Sequence, residues 1–199
     1  MTIYCYDTEF VDDGSSIELI SIGIVCEDGR EYYAVNSDVD FERVKSDDWL
    51  WDHVVSRLPV VHPSNRRLAG LDLTNSQVRP RWVIANEVRD FLLAEGEAEL
   101  WAHHAAYDHV VLCQLLAGRM VDLPAGIPHF THELQQAIED HRAPVRAPDD
   151  DHHALDDARN CLEVLRVIRG GRDRHYCIRC GGPQPVGHRC LRDESEGRR

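Results

Sequence analysis

Apolar, aromatic and β-branched runs bounded by turn-forming residues, and stretches whose apolar residues recur at a helical period, predict the elements of this chain. Residues 2–10, Thr-Ile-Tyr-Cys-Tyr-Asp-Thr-Glu-Phe, are dominated by aromatic and β-branched side chains and predict a strand, closed by the turn-forming Asp12-Asp13-Gly14-Ser15-Ser16. Residues 17–26 are nearly all apolar and predict a second strand; Glu27-Asp28-Gly29 turns it back into a third over 31–35, giving an antiparallel meander. A short helix is expected over 47–58, then mostly loop from Pro59 to Pro80, a stretch with three prolines. Apolar residues at 84, 88, 91 and 92 have a helical period and predict a helix over 81–94. A short strand at 99–103 and helices at 107–117 and 131–141 follow, then a loop rich in Pro and Asp over 142–150. The last helix is expected over 154–168, with Leu155, Ala158, Leu162 and Leu165 on one face and Gly170-Gly171 as its stop. Antiparallel strands followed by alternating helices and a strand indicate an α/β fold with a mixed sheet flanked by helices. If the first two strands form a simple hairpin, Glu9 faces Glu18 and Asp7 faces Ile20.

Composition narrows the class. The chain has 199 residues, room for one globular domain and a short appendage. Hydrophobic residues make up 43% and charged residues 29%, which excludes a disordered chain. The longest apolar runs are too short to cross a bilayer and the N-terminus shows no signal-peptide pattern, so a cytoplasmic protein with no membrane partner is expected. Cys5, Cys26, Cys113 and Cys161 sit in apolar patterns and read as buried small hydrophobes rather than disulfide partners. The net charge of −13 argues against a protein that grips long stretches of nucleic-acid backbone. The charge is uneven: residues 169–199 carry eight arginines against four acids, a net +4, which leaves −17 for residues 1–168. An acidic body with a basic tail suits an enzyme that handles a chain end through bound cations, and suits an acidic protein with a solvated surface equally well.

Candidate chemistry lies in the carboxylates. Asp7 and Glu9 are two apart on a strand and leave it on the same face. Two acids on an otherwise apolar strand are costly if buried unpaired, and a divalent cation resolves the cost; a wet strand face would also accommodate them. Asp108 falls in the first turn of a helix, where the helix dipole favours an acid with or without a function. His152 precedes the last helix and Asp157 lies early in it, so an imidazole can stand beside a carboxylate-held metal and act as a general base. The same residues could simply cap an acidic helix start, and His153 competes with His152 for the role.

In combination these residues resemble the DEDDh exonucleases: Asp-x-Glu on a first strand, an Asp at a strand–helix junction, and His-x-Ala-x-x-Asp opening the last helix. The stretches Tyr6-Asp-Thr-Glu-Phe10, Ile17-Glu-Leu-Ile-Ser-Ile-Gly23, Ala106-Tyr-Asp-His109 and Ala154-Leu-Asp-Asp-Ala-Arg159 are most similar to one bacterial branch, the polyadenylate-specific 3'-exoribonucleases, also called RNase AS. The resemblance covers residues 1–168. It implies a ribonuclease-H-like fold, two Mg²⁺ or Mn²⁺ ions held by Asp7, Glu9, Asp108 and Asp157, and His152 as the base. It further implies single-stranded RNA 3' ends as substrate, contacts to it from Thr8, Phe10 and Glu18, and a homodimer as one expected assembly. A carboxylate can accept a hydrogen bond from the adenine amine, which makes Glu18 the expected reader of adenosine. The competing readings are a DNA 3'-5' exonuclease and a catalytically idle binding module.

The chain departs from that branch beyond residue 170. Domain boundaries are accordingly expected at 1–169 for the exonuclease and 170–199 for an Arg-rich tail. Within the tail, Cys177-x2-Cys180 followed by His188 and Cys190 predicts a zinc knuckle over 177–190, with His175 as a spare ligand.

Overall fold

The computed structural model describes residues 1–141, 152–172, 174–177 and 182–185, the last two segments and residues 171–172 by backbone alone. Strands β1 (Thr2–Asp12), β2 (Ile17–Cys26) and β3 (Glu31–Asn36) come first. Helices α1 (Phe41–Ser46) and α2 (Asp48–His53) follow, with 3-10 turns at Val55–Arg57 and, later in the chain, Met120–Asp122. Three two-residue strands, β4 (Val60–Val61), β5 (Gly70–Leu71) and β6 (Val78–Arg79), lead to α3 (Arg81–Leu93). Then come β7 (Ala98–Ala102), α4 (Ala106–Leu116), β8 (His132–Glu133), α5 (Leu134–Asp140) and α6 (Ala154–Arg172). The backbone of β9 (Arg174–Cys177) pairs antiparallel with β10 (Gly182–Pro185).

The main sheet has the order β6-β3-β2-β1-β7-β8. β1, β2 and β3 form the antiparallel meander, whereas β7 runs parallel to β1 and β8 parallel to β7. β1 is central and is packed on both faces. Tyr4 and Tyr6 enter the core built with Ile84, Val88 and Leu92 of α3 and Leu112 and Leu115 of α4. Ile3 and Cys5 point the other way, against Ala158, Cys161, Leu162, Leu165 and Ile168 of α6. A third cluster seats α1 and α2 through Val44, Leu50 and Val54 on Val11, Ile20 and Val35. No described helix is long and apolar enough to cross a membrane.

Several sequence expectations need correction. The β1–β2 register differs: Glu9 faces Ser21, Asp7 faces Gly23, and Glu18 faces Val11. β1 runs two residues further than expected, because Asp13 Oδ1 accepts the backbone N–H of both Ser15 and Ser16 and closes a short turn. A bulge at Ile20 then shifts the pairing between Glu9↔Ser21 and Phe10↔Leu19 and carries Leu19 onto the buried face of Ile22 and Ile24. The helix expected over 131–141 begins as β8, and the helix expected over 47–58 is broken into α2 and a 3-10 turn, with α1 unforeseen ahead of it. Gly170-Gly171 does not stop α6, which continues to Arg172. Two glycines cost about 1 kcal/mol each in a helix, but Ile168 is buried and Arg169 pairs with Glu99 and lies over the Trp101 ring, so tertiary contacts hold the last turn.

Candidate active site

The cleft exists because β7 leaves β1 early. The two strands pair only from Thr2↔Ala98 to Cys5↔Trp101, after which the chain turns through 103–105 into α4. The edge of β1 from Asp7 to Phe10 is thereby uncovered at the carboxyl ends of two parallel strands, a usual location for ligand sites in α/β sheets. An open cleft of about 300 Å³ forms there, floored by Asp7, Thr8, Glu9 and Phe10. His103, His104, Tyr107 and Asp108 line it on the α4 side, and Trp49, His152 and Asp157 also line it.

Asp7, Glu9 and Asp157 come together: one carboxylate oxygen from each lies within 4.8 Å of the others. Asp7 and Glu9 are on the face of β1 that α6 covers, and Asp157 is in the first turns of α6. That turn is fixed by its own polar groups. His153 N–H donates to Asp157 Oδ2 at 3.1 Å, and His153 O accepts the N–H groups of Asp156 and Asp157. Asp157 therefore caps its helix and joins the acidic group at once, so the capping and metal readings coexist.

Asp108 reaches the cleft from the opposite side. The exposed edge leaves the Thr8 N–H without a strand partner, and Asp108 Oδ1 accepts it at 2.9 Å and the Thr8 hydroxyl at 2.6 Å. Burial pushes the Asp108 carboxyl up to about 7; the two Thr8 hydrogen bonds oppose that shift and nearby Glu133 adds to it. Glu133 in turn accepts the N–H groups of His104 and Ala105, pinning the entry to α4.

The two candidate histidines separate. His152 adopts a left-handed backbone (φ 54°), lines the cleft, and packs its ring in T-shaped contact with Trp49 and His53, the centroids 4.7 Å and 5.5 Å apart. His153 turns away: its ring packs at 4.6 Å from Tyr33 and its Nδ1 lies 3.0 Å from Asp156 Oδ2. Thr8 and Phe10 both line the cleft. Glu18 does not, because its carboxylate pairs with Arg43 at 3.3 Å, an arginine that also holds Asp13. Sequence reasoning missed Trp49, His103, His104 and Tyr107. Tyr107 is half-exposed and stacks on Phe10 at 5.6 Å, and Trp49 is also half-exposed; exposed aromatics beside a cleft are a binding signal that only the folded chain reveals. Cys180, His188 and Cys190 of the expected knuckle lie outside the described residues, and Cys177 is described by backbone only, opposite Gly182 in the β9–β10 pair.

Clustered hard oxygen donors at the end of an open cleft, with an imidazole beside them, are the equipment of a hydrolase that works on phosphate esters. Comparison with known proteins gives the particular family. Residues 62–169 match the family described as the 3'-5' exoribonuclease Rv2179c-like domain. The chain is 47% identical over 175 residues to the 3'-5' exoribonuclease Rv2179c of Mycobacterium tuberculosis strain H37Rv, and equally to 3'-5' exoribonuclease MT2234.1 of strain CDC 1551. Each match covers 85% of this chain and 95% of the relative. The chain belongs to the Rv2179c-like 3'-5' exoribonuclease family and is a hydrolase. A solved structure of the Neurospora crassa Pan2 catalytic unit aligns over 86% of this chain and 27% of its own, at 13% identity and a TM-score of 0.47, too low to carry an argument.

Proposed function

We propose that the protein is a DEDDh 3'-5' exoribonuclease of ribonuclease-H-like fold, akin to the polyadenylate-specific branch, that shortens single-stranded RNA from its 3' end. The observation that carries the reading is the convergence of Asp7, Glu9 and Asp157 to within 4.8 Å. A donor set made only of carboxylate oxygens suits Mg²⁺ or Mn²⁺, and Asp108 supplies a fourth carboxylate to the same cleft. Two such cations, when bound, would acidify the attacking water and neutralise the charge that grows on the departing 3'-oxygen.

The chain's own groups do the rest. His152, whose imidazole lines the cleft, takes the proton from the water, and packing against Trp49 holds the ring there. Thr8 orients Asp108 through two donors. Phe10, Tyr107 and Trp49 offer ring faces on which the terminal bases stack, a mode of binding that needs no long basic groove. Adenosine preference is supported by the sequence resemblance, and with Glu18 held on Arg43 the preference falls to the groups that line the cleft. Residues 1–169 form the catalytic unit and the tail a separate zinc-binding element.

The test uses short 5'-labelled oligo(A), oligo(C), oligo(U) and oligo(dA), with Mg²⁺ or Mn²⁺ and with EDTA. Stepwise shortening from the 3' end is expected, fastest on oligo(A) and absent in EDTA. Asp157→Asn keeps an acceptor for the His153 N–H and should reduce the rate at least about 100-fold. Turnover in EDTA, or a fully active Asp157→Asn, overturns the reading.

A further inference from the structure

Gly23 lies in the middle of β2, facing Asp7 across the pairing with β1 and Tyr33 across the pairing with β3. On this row the start of α6 descends onto the sheet. A Cβ built on Gly23 would fall 2.2 Å from the Leu155 nitrogen and 2.3 Å from the Ala154 carbonyl carbon and the Leu155 Cα. The backbone at Gly23 is not among the left-handed positions of the chain, so the demand is for space rather than for an unusual conformation.

We infer that Gly23 is a positioning residue of the catalytic centre: its missing side chain lets α6 settle closely enough on β2 to bring Asp157 to Asp7 and Glu9. The inference rests on the proposed reading of those acids as cation ligands. The obstructing atoms are backbone, so no change of rotamer relieves a side chain at 23. β2 is hydrogen-bonded on both sides and cannot recede, so the helix start has to move. Opening 2.2 Å to 3.0 Å takes 0.8 Å, and reaching ordinary contact at 3.4 Å takes 1.2 Å. Asp157 cannot stay behind, because its carboxylate and its N–H are both bonded to His153 in the same turn. His152, the next residue toward the N-terminus, is carried along. Oxygen ligation of a small divalent cation tolerates only about 0.2 Å. Gly23 touches neither substrate nor cation and acts through Asp157.

The test measures Mn²⁺ binding to the metal-free, full-length protein by electron paramagnetic resonance, without RNA, alongside steady-state kinetics. Gly23→Ala is compared with Leu162→Ala, which hollows the same helix–sheet interface without intruding at the row. Gly23→Ala should give a wild-type circular dichroism spectrum, bind Mn²⁺ at least about tenfold more weakly, and lose about 100-fold in kcat with little change in KM. Leu162→Ala should melt earlier and keep its Mn²⁺ affinity. Wild-type Mn²⁺ binding by Gly23→Ala, or an equal loss in Leu162→Ala, overturns the inference. So does a Gly23→Ala chain that fails to fold, since the glycine would then serve the fold rather than the site. A wild type that binds no Mn²⁺ sinks the metal reading first and this inference with it.

Discussion

Thr8→Val isolates one bond of the site while preserving shape. Thr8 and Asp108 are both buried, and the hydroxyl donates to Asp108 Oδ1 at 2.6 Å, the short distance of an O–H to carboxylate bond. Valine fills the same volume and keeps the backbone N–H bond at 2.9 Å, so Asp108 loses one of its two donors from Thr8. A hydrogen bond to a charged group contributes about 1.5–3 kcal/mol, equivalent to about 10- to 150-fold in a rate that requires Asp108 ionised. The hydroxyl bond lowers the Asp108 carboxyl against the upward push of burial, so deleting it moves that carboxyl further up from about 7. The rising limb of kcat against pH should move to higher pH in Thr8→Val, with the largest loss on its acid side. The same loss of about 1.5–3 kcal/mol from the folded state corresponds to roughly 3–12 °C in a domain of this size. The assay is single-turnover cleavage of 5'-labelled oligo(A) across pH, with thermal melts in parallel. Thr8→Ser, which restores the donor, should recover most of the rate. A Thr8→Val enzyme with wild-type kcat and an unmoved pH profile refutes the assignment of Thr8 as the group that orients Asp108.

Trp49→Ala should raise KM about 5- to 150-fold, the equivalent of 1–3 kcal/mol of base stacking, and should also lower kcat because the His152 ring loses its packing partner. Trp49→Phe should restore most of both, and an unchanged KM for Trp49→Ala would remove the ring from the substrate path. For the tail, metal analysis of the full chain should return about one zinc per molecule, and truncation after Gly170 should abolish it while leaving hydrolysis within a factor of about three; a zinc-free full chain refutes the knuckle.

Much of this protein was legible in local pattern. Aromatic, β-branched and apolar runs bounded by turn residues marked β1 to β3, and the 3.6-residue period marked α3 and most of α6, because burial on one face of a helix selects apolar residues at that spacing. The carboxylates were legible for the same reason: Asp7 and Glu9 share a strand face wherever that strand ends up. The β1–β2 register was not, because it depends on a bulge at Ile20 and on how far the Asp13 turn lets β1 run. That difference turned Glu18 from a neighbour of Glu9 into the partner of Arg43. Gly170-Gly171 misled because local propensity is small beside the burial of Ile168 and the pairing of Arg169 with Glu99.

The sequence by itself determined which chemistry was available: four acids, a histidine before the last helix, and strands and helices in an order that could gather them. Tertiary structure alone decided what was brought together. The early departure of β7 opened the edge of β1 and made the cleft. The close seat of α6 on Gly23 carried Asp157 to Asp7 and Glu9, and of the two histidines before α6 it is His152 that lines the cleft while the His153 ring packs on Tyr33. Residue types and spacings constrain local conformation over a few bonds, whereas a distance between residues 7 and 157 is set by how whole elements pack, and no local pattern records that.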